Sequence, residues 1–388
     1  MNTSHIKLKQ KFWKIPLYKI SNSFEDISSI SKVIKRGMDW AIGPEIIDLE
    51  NNLANYIGSK YCVTFNSGTS AGHAALLSLN FKRNDEIHVP SFSFIATANW
   101  PLMVGCKPKF IDIEEKTYGL DPLEIKKHIT KRTKAILPIH YAGLPCQIQE
   151  INRIAKKNNI PLIEDAAESL GSEINRKKIG SFGEIGVFSF AANKIITAGE
   201  GGAVVTNSKI IYEKLKLIRS HGRKTNVNYF SSVESPSYVN LGYNWRMSSI
   251  TAALISSQLS KIDKLITKRR KHAKYYVKHL EKFEKLKFHQ EPKNYKHVYQ
   301  LFPIKLSSRY LRDNLMKFLS ERGIMTKIFF EPIHKTTHFK KQKIKNLNLK
   351  TTEKISEQIL SLPMYPDLKK EELNEVISSV SEFLELNG

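Results

Sequence analysis

The stretch "FSFAANKIITAGEGG", Phe188 to Gly202, sets one lysine, Lys194, between an aromatic run and a glycine-rich turn. With 61 lysines and arginines in the chain, a lysine as such means little. A surface lysine needs no such setting. A lysine that condenses with a carbonyl needs a partly dry one, because desolvation lowers its pKa and frees the amine.

The segments upstream of Lys194 decide the fold class. From about Gly43 to Asn207 short apolar runs alternate with helical stretches: "YCVTF" precedes "SGTSAGHAALLSL", "EIHVP" precedes "FIATANWPLMVG", "PKFIDI" precedes "DPLEIKKHI", and "KAILPIH" precedes "QIQEINRIAKKNN". "PLIEDA", "GVFSF" and "GGAVVTN" follow as further strands. Strands alternating with helices predict an α/β fold, a mostly parallel central sheet with helices on both faces. Such sheets bind ligands at the carboxyl ends of their strands, and Lys194 lies beyond one of them. Then "LGYNWRMSSITAALISSQLSKIDKLITKRRKHAKYY" predicts one or two long amphipathic helices. Beyond about Leu265 the alternation weakens through "YQLFPIKL", "RDNLMKFLSERG" and "IMTKIFF" to a last helix, "KKEELNEVISSVSEFLEL". The expected division is a basic arm over 1–20, a large domain over 21–260, and a smaller C-terminal α+β domain over 261–388.

Composition narrows the function classes. Hydrophobic residues at 41% and charged residues at 25% are ordinary for a globular protein. No apolar run reaches the ~20 residues that span a bilayer. The basic N-terminus lacks an uninterrupted apolar stretch and a small-residue cleavage site, so it does not read as a secretion signal. Cys62, Cys106 and Cys146 are scattered without metal-ligand spacing; a reduced, cytoplasmic protein without a metal is expected. The net charge of +24 raises nucleic-acid binding, but lysine outnumbers arginine and the charges spread along the chain. The same field draws in an anionic small substrate such as a nucleotide diphosphate.

Two further motifs join the opening stretch. In "VTFNSGTSAGHAALLSL", Gly68 permits close backbone approach, and Thr69 and Ser70 offer a hydroxyl and amides at a positive helix end, which suits a phosphate. The same residues serve equally as caps and turns. In "IPLIEDAAESLGS", Glu164 and Asp165 end an apolar strand, as a cap or surface group, or with Asp165 under a heterocyclic cation. A phosphate cradle, an acid at a strand end and a lysine after a strand, in that order, are the three anchors of pyridoxal 5′-phosphate.

The sequence resembles the pyridoxal-phosphate-dependent sugar-nucleotide aminotransferases of fold type I, the DegT group, over nearly its whole length. The matching segments include "GPEIIDLENNLANYIGSKYCVTFNSGTSA", "VPSFSFIATAN", "ILPIHYAGLPCQIQEI", "GSFGEIGVFSFAANKIITAGEGGAVVTN", "LGYNWRMSSITAALISSQL" and "FFEPIH". The resemblance implies that Lys194 is the Schiff-base lysine and that Ser189, Gly68 and Thr69 contact the cofactor's phosphate. It implies that Asp165 partners the pyridinium nitrogen and that Phe94 stacks on the ring. Glu168 falls where relatives carry Gln, His or Glu near the phenolic oxygen. Asn244 matches a side chain that reaches the neighbouring subunit's cofactor, which implies a homodimer with shared active sites. His334 falls where relatives often have a histidine near the substrate pocket, and a structural histidine suits the position equally.

The expected reaction moves an amino group from L-glutamate to the C4 ketone of a nucleotide-linked 4-keto-6-deoxy sugar, for a surface polysaccharide or glycan. Glu168 and "NKIITAGEGG" resemble the subset that aminates C4; "NKIIT" is similar to enzymes making GDP-perosamine, whereas "HYAG" resembles those acting on UDP-linked sugars. Amination at C3 or of an inositol ketone is an alternative on the same fold. Relatives that remove the C3 hydroxyl carry histidine in place of Lys194. From another class, a non-catalytic basic nucleic-acid-binding or regulatory protein would require a lost anchor, and none is lost.

Overall fold

The computed structural model describes residues 13–224, 233, 235–341 and 348–387. The first twelve residues of the expected arm lie outside them. The central sheet is built from β1 (Tyr61–Phe65), β2 (Glu86–Pro90), β3 (Lys107–Ile111), β4 (Thr133–Ile136), β5 (Ile163–Asp165), β6 (Ile185–Ser189) and β7 (Gly202–Thr206). Ladders give the orders β1–β7–β6–β5 and β3–β2–β4. Parallel bridges from Ile136 to Leu162 and from Ile139 to Asp165 join β4 to β5. The whole therefore runs β3–β2–β4–β5–β6–β7–β1, with β7 antiparallel to both its neighbours and the rest parallel.

Alternate residues of these strands feed two cores, as a period of two requires. On one face, Leu162, Phe188, Ala203 and Val205 pack against α2 (Pro44–Ile57), α6 (Ile148–Lys157) and α8 (Ser249–Ser260). On the other, Ile163, Val187 and Val204 pack against α3 (Gly68–Leu77), α4 (Ala96–Met103) and α7 (Lys209–Arg219). Burial on both faces explains why these strands read as near-continuous apolar runs.

The long helical stretch resolves into two helices, α8 and α9 (Ile262–Leu280), and its "LGYNWRM" start is not helical. Ile262, Leu265 and Ile266 of α9 pack in the large core, whereas Ala273, Tyr276 and Leu280 pack in a separate one. That second core holds a small antiparallel sheet of β8 (Leu286–Phe288), β9 (Phe302–Leu306) and β10 (Ile359–Leu362), with α10 (Arg309–Glu321) and a C-terminal helix over Lys370–Leu386. "IMTKIFF" continues the sequence alternation here, but among the described residues it makes only single bridges, Ile324 to Ile15 and Lys327 to Ser361. "ILSL" supplies the third strand instead. We propose the division into large and small domains on the strength of these separate cores. No helix among the described residues is long and apolar enough to cross a membrane.

Candidate active site

Strand β5 ends on two buried carboxylates with opposite environments. Glu164 Oε1 accepts the N–H groups of Phe182 and Gly183, both at 2.7 Å. Its Oε2 accepts Gly180 N–H at 2.8 Å and His140 Nε2–H at 3.2 Å. The His140 tautomer follows, because its Nδ1 accepts the N–H of Cys146 at 3.1 Å. Four donors leave Glu164 no capacity for a ligand; it pins the 180–183 turn.

Asp165 carries far fewer bonds. Its Oδ2 accepts the Thr97 hydroxyl at 2.7 Å, and its Oδ1 accepts Ala167 N–H at 3.2 Å. Thr97 Oγ1 in turn lies 2.7 Å from Ser93 Oγ, so a two-hydroxyl relay orients the carboxylate. Burial pushes the Asp165 pKa up, while the Thr97 and Ala167 bonds and the charge of Lys194 pull against it. An acid so buried favours a cation that would restore its charge.

Lys194 sits in the connection from β6 to β7. Phe190 closes that loop: its N–H donates to Gly201 O at 2.8 Å, and its carbonyl accepts Thr197 Oγ1–H at 3.0 Å. Lys194 N–H donates to Ala191 O at 3.0 Å. The Lys194 amine then reaches Glu168 Oε1 at 3.5 Å, with its side chain 14% exposed. The other Glu168 oxygen accepts Ala142 N–H at 2.9 Å. Ala142 has φ 57°, in the left-handed region a non-glycine residue seldom adopts, and this turns its amide onto the carboxylate.

The candidate phosphate turn is closely packed because two Cβ atoms are missing. Phe65, Gly202 and Ser189 lie opposite one another across β1, β7 and β6. This register brings the end of β6 against the start of α3. A Cβ on Gly68 would stand 2.8 Å from Ser189 Cβ and 3.0 Å from its Oγ, and one on Gly202 only 2.3 Å from Ser67 O. Ser67 caps α3 by accepting Ser70 N–H at 3.1 Å. The amides of Gly68 and Thr69 occupy the first turn, where no intrahelical acceptor exists.

Phe94 is 61% exposed, so it is not a core aromatic. It stands just before α4, where its carbonyl accepts Thr97 N–H at 3.2 Å, and its ring lies 6.5 Å from that of Phe330. Asn244 is exposed and stands apart: its backbone bridges Ser220, and among the described residues no hydrogen bond joins it to the other candidates. His334 is fixed within the fold. Ser91 Oγ accepts its backbone N–H at 3.0 Å and lies 2.7 Å from Nδ1, and Nε2 donates to Glu353 at 3.1 Å. Sequence reasoning missed Ser93, Thr97 and Ala142. The four-residue spacing of two hydroxyls in "SFSFIAT" was a signal for the first two; nothing in "HYAG" marks the left-handed alanine.

The model of the DegT/DnrJ/EryC1/StrS aminotransferase family matches residues 22–381. The chain belongs to this family. It is 36% identical to an uncharacterized protein of Methanocaldococcus jannaschii, with 94% of this chain and 96% of that one aligned. It is 32% identical to GDP-perosamine synthase of Escherichia coli O157:H7, over 95% and 98% of the two chains. Among solved structures it is similar to Helicobacter pylori PseC, an aminotransferase involved in the biosynthesis of pseudoaminic acid, with a TM-score of 0.88, 31% identity, and coverage of 97% and 100%. The chain is thus a pyridoxal-phosphate-dependent sugar aminotransferase.

The residues present fit that cofactor. The first-turn amides of Gly68 and Thr69 have no intrahelical acceptor, which suits a phosphate, and Asp165 is a buried acid whose charged form burial disfavours. Lys194 offers a largely buried amine whose charge bears on Asp165.

Proposed function

We propose that the chain transfers an amino group from L-glutamate to the C4 ketone of a nucleotide-linked 4-keto-6-deoxy sugar. The observation that carries the reading is the joint placement of Lys194, Glu168 and Asp165 in one buried site. The likeness to GDP-perosamine synthase along almost the full chain supports the sugar class.

When bound, pyridoxal phosphate supplies an electron sink and a carbonyl. Lys194 Nζ is the amine that would hold that carbonyl and the base that would move a proton in each half of the transfer. Asp165 keeps a proton on the ring nitrogen, and Ser93 and Thr97 hold Asp165 in register. Gly68, Thr69 and Ser189 would hold the phosphate, Phe94 would cover the ring, and Glu168 stands beside the amine. Asn244, exposed on its own chain, reaches the cofactor of a second copy, so the working unit is a homodimer.

Incubation of the protein, cofactor and glutamate with dTDP-, UDP- and GDP-linked 4-keto-6-deoxy sugars tests this. Mass spectrometry should find one sugar gaining an amine at C4. Gain at C3, or no gain on any of them while the cofactor is bound, overturns the substrate assignment.

A further inference from the structure

The Lys194–Glu168 pair is held at both ends by one short segment far away in sequence, residues 298–301. Val298 N–H donates to Gly143 O at 3.1 Å and Leu301 N–H to Ala142 O at 3.2 Å, which fixes the turn whose Ala142 amide grips Glu168. Gly143 is the close-approach point: a Cβ there would stand 2.6 Å from Val298, 3.0 Å from Gln300 N and 3.1 Å from Glu168 O. At the other end, Gln300 Nε2 donates to the carbonyl of Asn193, immediately before the reactive lysine.

Gln300 is 2% exposed, and its Oε1 accepts no hydrogen bond among the described residues. The donor end alone gives this buried amide a purpose. From behind, the Arg269 guanidinium binds the carbonyls of Tyr299, Gln300 and Met364 at 3.1, 3.2 and 3.1 Å. The segment is therefore braced on α9 and runs directly into β9 of the small sheet.

We propose that Gln300 is a positioning residue for Lys194, holding the Asn193 carbonyl so that the amine stays in reach of Glu168 and of the cofactor. This rests on the reading of Lys194 as the cofactor-bearing lysine. A displacement of about 1 Å at such a site costs up to roughly 10²-fold in rate, so loss of one anchoring bond should be visible in turnover.

The test uses the cofactor-loaded protein with Gln300→Met and Gln300→Glu. Two quantities are read: the pH titration of the visible absorbance of the lysine-linked cofactor, and kcat against KM for the sugar. Gln300→Met should displace the titration midpoint and lower kcat roughly 10–100-fold with KM little changed. Gln300→Glu should behave likewise at high pH and recover as its carboxyl takes up a proton and regains a donor. A merely structural glutamine would lower the melting temperature of both variants but leave the midpoint and kcat alone, and that result overturns the proposal. Should Gln300→Met fail to fold, the pH-dependent recovery of Gln300→Glu decides on its own. If the unaltered protein binds the cofactor but borohydride reduction fixes it at a lysine other than Lys194, the reading of Lys194 falls first and the role of Gln300 with it.

Discussion

The amine of Lys194 stands 3.5 Å from Glu168 Oε1, and the second oxygen of that carboxylate is held by Ala142 N–H at 2.9 Å. A lysine whose only task was solubility would not be aimed at a buried acid. Removing the amine in Lys194→Ala should abolish the visible absorbance of the lysine-linked cofactor and depress both half-reactions together. General-base losses alone run to ~10²–10⁴-fold, and loss of the covalent anchor adds to them. Single-turnover measurement of each half separates the cases: one half intact in the variant would show that another group serves as its base.

Gly68 and Ser189 meet where Gly68 lacks a Cβ. Gly68→Ala puts a methyl 2.8 Å from Ser189 Cβ, in a place where the helix start itself tolerates alanine well. Even so, that contact is closer than carbon atoms approach, so Ser189 or the helix start must shift, and Gly68→Ala should cost about 1–3 kcal/mol of stability while cofactor affinity falls. Ser189→Gly removes the clashing atom but also the hydroxyl. The double variant should accordingly bind cofactor better than Gly68→Ala and worse than the unaltered chain. Equilibrium dialysis against pyridoxal phosphate over the four proteins gives the coupling, and simple additivity would show that the two positions do not meet.

The strands of the large domain were legible because burial on both faces leaves short apolar runs between helical stretches. The candidates Gly68, Asp165 and Lys194 stood out for a related reason: each lies at or beyond the end of such a run, where a parallel sheet collects its ligands. What escaped is set by contacts across large separations. The Gln300 bond to Asn193 joins two elements that share no local pattern. Thr97 reads as one hydroxyl in a run of small residues until α4 is known to begin at Ala96. The break between α8 and α9 falls at Lys261, with neither glycine nor proline to announce it. "IMTKIFF" has the composition of a strand, but the place beside β9 is taken by "ILSL", whose residues are buried on both faces.

Asp165 separates cofactor chemistry from stability. Its pKa is raised mainly by burial, so in the cofactor-free protein its contribution is favourable at low pH and is lost as pH rises through the folded value. At neutral pH the buried charge is a cost. Asp165→Asn removes that charge and keeps both hydrogen bonds: the amide oxygen accepts Ala167 N–H, and Thr97 can turn its hydroxyl toward Ser93 while accepting from the amide. The cofactor-free variant should melt higher than the unaltered chain at pH 7, with the gain shrinking as pH falls toward the carboxylate range. Transaminase activity should drop by roughly 10²–10⁴-fold, on the scale of lost acid–base groups. Equal melting temperatures at all pH values would show that Asp165 is not desolvated.

His289 should govern acid stability. Its ring stacks on Tyr118 at 4.5 Å with 7° between planes, and burial pushes its pKa down to about 3, against the pull of the Thr117 and Lys116 backbone. A histidine depressed in the folded state binds its proton more readily when unfolded, at about 6.5. Its contribution is complete above that value and is lost as pH falls toward about 3. Over that window one such histidine costs up to about 1.4 kcal/mol for each pH unit. His289→Phe keeps the stack and removes the titration. Urea unfolding at steps between pH 6.5 and 4.5 should show the variant losing stability more slowly by about that slope, with His297 and His88, whose pKa values burial also depresses, contributing to what remains. Parallel curves for the two proteins would mean that His289 takes up its proton while folded.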